Sequence, residues 1–132
     1  MPRKLSGALA LAEVTVNTRA LSRMPEVVRD VAVPRMAQEL RRALEERAQT
    51  AAAAWPTSTG RSARAFDVQV TADPDSIRGA IENTASYAGD IRGREHGGRL
   101  TWDVLVAEPL REGRDELLQR LADTAAEVLS DA

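Results

Sequence analysis

Residues 55–66, WPTSTGRSARAF, place four hydroxyl side chains, a glycine and two arginines between two aromatic residues. Those are the ingredients of a phosphate cradle, of a serine nucleophile, or of a plain hinge between a helix and a sheet. A phosphate-binding loop needs a lysine and a hydroxyl directly after its last glycine, at the head of a helix and behind a strand. Here Gly60 is followed by Arg61 and Ser62, with a helical pattern before it and a strand pattern after it, so the order is reversed. Ser58 and Ser62 lack the tight glycine-flanked elbow that exposes a nucleophile, and the one imidazole in the chain, His96, lies in a distant glycine-rich stretch. A catalytic serine therefore has no evident base.

Other chemistries fare no better. With no cysteine there is no disulfide framework, thiolate metal site or cysteine nucleophile. His96, Glu95 and Asp90 offer one nitrogen and two carboxylates, short of a convergent metal site. The pairs Asp73/Asp75 and Asp115/Glu116 read as turn and helix-start residues. Arg92, Arg94 and Arg99 could touch phosphates, with Tyr87 and Trp102 as the nearest aromatic platforms. The net charge of −2, from 18 basic and 20 acidic residues, points to no polyanion. No catalytic group and no cofactor is expected, and WPTSTGRSARAF is read as a structural hinge carried by Trp55, Pro56, Thr59 and Gly60.

The elements on either side support that reading. EVTVN, residues 13–17, alternates with Val14 and Val16 on one side, as in a short half-buried strand. Behind it comes a helical stripe of Val27, Val28, Val31, Met36, Leu40, Leu44, Ala48 and Ala51. Pro25 suits its first turn, while Pro34 predicts a bend or restart. Arg35/Glu39, Arg41/Glu45 and Arg42/Glu46 are spaced for pairs along its far face. FDVQV and SIRGAIENTA, joined by TADPDS, form a hairpin with Phe66, Val68, Val70, Ile77 and Ile81 inward. GDIRGREHGGR reads as an exposed, mobile loop and LTWDVLV as a further strand. Pro109 then opens a helix striped by Leu110, Leu117, Leu118, Leu121, Ala125, Val128 and Leu129.

The whole chain, 1–132, is thus expected to be one α+β domain, a small antiparallel sheet covered by a long N-terminal helix and a C-terminal helix. The opening MPRKLSGALALAEV imitates a signal peptide, but its apolar run is about eight residues and includes Gly7, so no export and no membrane partner is expected. The first 47 residues carry nine basic and six acidic side chains, the remainder nine and fourteen, so the two parts have opposite charge.

The order of these motifs resembles the tail-completion and head-tail joining (neck) minor tail proteins of long-tailed bacteriophages and phage-like particles. The likeness spans nearly the whole chain: a strand and an arginine-rich helix, then Pro56, Thr59 and Gly60 before Ala65 and Phe66, then Asn83, Tyr87 and Ala88 before Gly89, and a last helix introduced by Pro109. Two departures stand out. GDIRGREHGG replaces the family's aromatic or acidic residue and glycine-threonine pair, and Arg61, Ser62 and Ala65 stand where the family has a leucine and a serine. The resemblance implies a non-enzymatic virion protein, made in the bacterial host cytoplasm. It would form a homo-oligomeric ring, expected to be a hexamer, at the neck of a phage or gene-transfer-agent particle. Its partners would be neighbouring connector and tail proteins, with DNA passing through the channel and no sequence-specific binding. The loop bearing Arg92, Arg94, His96 and Arg99 is the expected interface, and Tyr87 joins the hinge set. The alternatives are a tail terminator capping the tail tube and, from a different class, a small nucleic-acid-binding regulator.

Overall fold

The structure, a computed structural model, describes residues 10–56, 62–73, 75–85, 88–92 and 97–131. It has the expected α+β architecture. A three-stranded antiparallel sheet is built from β1 (Ala10–Asn17), β2 (Phe66–Asp73) and β3 (Ser76–Asn83), in the order β1-β3-β2. The hairpin strand β3 lies in the middle because it pairs on both sides: Val14 and Val70 both face Gly79, and Ala12 and Val68 both face Ile81.

Alternation decides which face is covered. Ala10, Val14, Val16, Ile77, Ile81 and Asn83 are buried, and Phe66, Val68 and Val70 pack against the same core. The opposite face carries Glu13, Thr15, Asp67, Gln69 and Arg78 to solvent. Across the buried face runs α1 (Glu26–Ala54), whose Leu40 and Leu44 are fully buried above Gly79. A β-carbon at Gly79 would lie 2.6 Å from Leu44 Cδ1 and 2.9 Å from Leu40 Cδ2, so the absence of a side chain there sets how closely helix and sheet approach.

The helix runs unbroken through Pro34, with Pro25 at its N-cap. Pro34 is exposed, and water can satisfy the carbonyl its ring leaves without a donor. Of the three spaced pairs, Arg41–Glu45 forms at 3.9 Å, whereas Glu39 takes Arg42 at 3.5 Å and Arg120 from the last helix. Val27 and Val31, expected inward, are instead 72% and 43% exposed. The buried row is Val28, Ala32 and Met36, rotated from them by about 100° per residue.

The third expected strand is corrected. LTWDVLV is helical from Thr101: residues 101–112 form one helical stretch, with a π-helical turn at Asp103–Ala107 leading into α2 (Glu108–Glu112). Only Leu100 makes a β-bridge, to Arg92. Trp102 and Val106, four apart, are both buried, a helical spacing that strand alternation also satisfies. Pro109 therefore sits inside helical chain rather than opening it. It cannot donate to the Leu105 carbonyl four residues back, and the Arg47 guanidinium of α1 does so at 3.2 Å. Gly113 then separates α2 from α3 (Arg114–Asp131), which packs along α1 through Leu117, Leu121, Ala125 and Val128.

Candidate interaction surfaces

Trp55 and Pro56 stand where α1 stops, Trp55 being its C-cap. Trp55 is buried edge-on against Phe66, with ring centroids 5.2 Å apart, and against Trp102 at 6.4 Å, while Phe66 and Trp102 stack at 6.1 Å. This aromatic trio joins the end of α1, the start of β2 and the helical stretch after the arginine loop into one anchored corner. Asn83 ties down the returning chain: its side-chain amide donates to the Ser62 carbonyl at 2.7 Å, and its oxygen accepts from the Ala85 N–H at 3.0 Å. The Thr84 N–H donates to the Ala65 carbonyl at 2.9 Å. Ser62 itself is buried, and its hydroxyl has no partner among the described residues, as is also true of the Thr101 hydroxyl and the Trp55 indole N–H. Thr59, Gly60 and Tyr87 lie outside the described residues.

The arginine loop is fastened at both ends. Arg92 bridges Leu100 in antiparallel fashion, Thr101 N–H donates to the Ile91 carbonyl at 2.8 Å, and Gly97 and Gly98 turn with φ of 67° and 81°. The Arg92 guanidinium donates to the Gly98 carbonyl at 3.0 Å, and Arg99 pairs with Glu108 at the head of α2. Of the three expected contact arginines, Arg92 and Arg99 are exposed yet engaged within the chain. Arg94 and His96 lie outside the described residues, as does the middle of the loop expected to be mobile. No group of three or more His, Asp or Glu suited to a metal ion occurs among the described residues.

The more open surface lies elsewhere. Between β1 and α3, beside the 3-10 turn Arg19–Arg23, runs a groove of about 580 Å³, whose walls include Thr15, Leu118, Ala122, Ala126 and Leu129. Its one charged lining residue is Arg114. The two sheet edges differ. On β2 the Arg41 guanidinium donates to the Val68 carbonyl at 3.3 Å, whereas no described side chain hydrogen-bonds to the outer edge of β1. A smaller hollow of about 320 Å³ lies beside Val27, Val28, Val31, Arg35 and Val128.

Charge is also segregated. On the solvated sheet face Asp67 and Glu82 are cross-strand neighbours, with Glu13 and Asp73 on the same face and Arg78 the one cation. Like charges placed directly opposite disfavour the sheet slightly. The exterior of α3 adds Asp115, Glu116, Asp123 and Glu127, all exposed.

No family model, curated protein or solved structure matches this chain. Its surfaces are therefore interpreted from their own chemistry. No described helix is long and apolar enough to cross a membrane.

Sequence reasoning missed the groove, because its walls come from a strand and a helix about 100 residues apart. One signal was present: Leu118 and Leu129 flank Ala122 and Ala126, a second apolar row on α3 beside the buried one, wider than one packing partner needs.

Proposed function

We propose that this chain is a structural ring subunit at the neck, or head-proximal end of the tail, of a tailed phage or gene-transfer-agent-like particle. It would join head and tail around a channel for DNA. The observation that carries the reading is the apolar groove beside the edge of β1, an edge to which no described side chain hydrogen-bonds. An apolar groove beside an exposed sheet edge is the kind of surface that a subunit working by assembly covers. The order strand, long helix, hairpin, helix is also the order that the family resemblance implies. Its carboxylate-rich sheet face and α3 exterior would repel passing phosphates and keep DNA from adhering. A nucleic-acid-binding regulator is less well supported, since Arg92 and Arg99 each already hold a partner inside the chain.

Electron microscopy of particles from the host that carries the gene tests the proposal: density for this chain is expected in a ring at the neck. Deletion of the gene separates joining from termination. Tails of normal length that fail to meet heads are expected, whereas overlong tails would assign the chain to the tail terminus. Purified particles that lack the chain would refute both.

A further inference from the structure

The groove beside β1 has a matching projection on the same molecule. Of the four large apolar side chains left exposed among the described residues, Leu129 lines the groove and Leu11 is on the outer face of β1. The other two, Val27 and Val31, stand one helical turn apart on the first turns of α1 and form a short ridge. Asp30 is three residues from Val27 and four from Glu26, so a row of two carboxylates runs beside the ridge. The groove's single charged wall residue is a cation, Arg114, for which no described carboxylate forms an ion pair. Ridge and groove are thus complementary in polarity, and Glu26 and Asp30 are opposite in sign to Arg114, while Arg35 continues the valine row one turn farther along α1. They are also different surfaces, which is what a head-to-tail contact requires.

We infer that the Val27–Val31 ridge of one copy docks in the β1–α3 groove of the next, with Glu26 and Asp30 facing Arg114, and that this is the lateral contact of the assembly. The inference rests on the ring reading above. Repeated from copy to copy, such a contact closes if the rotation per step divides a full turn. Val27 and Val31 are buried by the contact, and the small side chains of Ala122 and Ala126 let the helices approach closely. The contact needs no rearrangement of the buried core, since every residue it uses is already at the surface or on the groove wall.

The absence of native cysteine makes a covalent test clean. Val27→Cys and Ala122→Cys proteins, prepared separately, mixed in equal amounts and oxidised, are expected to give a disulfide-linked pair containing one of each, seen on a non-reducing gel and by intact mass. The doubly substituted chain is expected to give a ladder ending at the ring size. Adding Val31→Asp to the Val27→Cys protein places a carboxylate in the apolar groove, and the yield of the pair should fall by roughly tenfold or more. No pair in the mixture, a yield indifferent to Val31→Asp, or equal linkage of the Val27→Cys protein with itself would each overturn the inference. Thermal unfolding of the Val31→Asp protein should match wild type, because Val31 is exposed in the monomer. Particles separate this inference from the reading it rests on. If wild-type protein is found in the neck and V27D/V31D protein still builds a full ring there, the docking mode is wrong and the neck assignment stands; if wild type is missing from particles, the neck assignment itself fails.

Discussion

Replacing Gly79 with alanine is the sharpest test of how α1 sits on the sheet. The new methyl carbon would lie 2.6 Å from Leu44 Cδ1 and 2.9 Å and 3.2 Å from Leu40 Cδ2 and Cγ, well inside van der Waals contact. Leu40 and Leu44 are both fully buried, so neither can swing into solvent, and the helix or the strand must move. Overpacking of this kind costs about 1–3 kcal/mol, partly offset by the ~0.4–1 kcal/mol gained when alanine restricts the unfolded chain. The net expectation is a loss of about 1–2 kcal/mol. With an unfolding entropy of about 2.1 cal/mol/K per residue over 132 residues, Tm should fall by roughly 4–7 °C. Urea denaturation should show a lower midpoint with an unchanged slope. Leu44→Ala alone should cost about 2–5 kcal/mol, and in that background Gly79→Ala should be much less harmful, because its methyl enters space that Cδ1 has vacated. A Gly79→Ala protein as stable as wild type, or strict additivity in the double variant, would refute the close approach.

Three further outcomes follow from single contacts. Asn83→Ala strips the Ser62 carbonyl and the Ala85 N–H of their partner in a buried corner and should cost about 2–3 kcal/mol in urea denaturation; a change under ~0.5 kcal/mol would contradict that role. Thr101→Val removes a fully buried hydroxyl that has no described partner, so stability should hold or rise by up to about 1 kcal/mol, and a loss greater than ~1 kcal/mol would reveal a partner. Arg47→Met keeps the aliphatic stem but withdraws the donor to the Leu105 carbonyl, and should cost about 1–2 kcal/mol while speeding amide hydrogen exchange across residues 103–107. Adding Pro109→Ala restores a backbone N–H at the position that normally serves that carbonyl, so it should recover part of the loss; no recovery would refute the compensation.

The parts of this fold that were legible in the sequence are those where one local pattern has one solution. Val14/Val16, Phe66/Val68/Val70 and Ile77/Ile81 alternate over short runs bounded by turn residues, and each lies on the covered face of the sheet. Leu40, Leu44, Leu117 and Leu121 recur at helical spacing and are buried. The corrected segment shows the limit. In LTWDVLV, Trp102, Val104 and Val106 fit a period of two, yet Trp102 and Val106 also fit one helical face, and seven residues cannot separate the two. Tertiary structure decides in favour of the helix. Trp102 meets the ring faces and edges of Trp55 and Phe66, and Arg47, 58 residues earlier in the chain, supplies the bond that Pro109 cannot. The same argument accounts for the surfaces. An exposed valine on α1 and a groove between β1 and α3 leave almost no local trace, because their meaning depends on which faces the assembled sheet and helices have already used. What sequence alone indicated for contacts was the most conspicuous charge, the loop with Arg92, Arg94, His96 and Arg99, and within the fold Arg92 donates across that loop to Gly98 while Arg99 pairs with Glu108. Charge that is consumed internally is a weak pointer to a partner. Apolar surface left open after the core is complete is a stronger one, since water opposes it until something covers it.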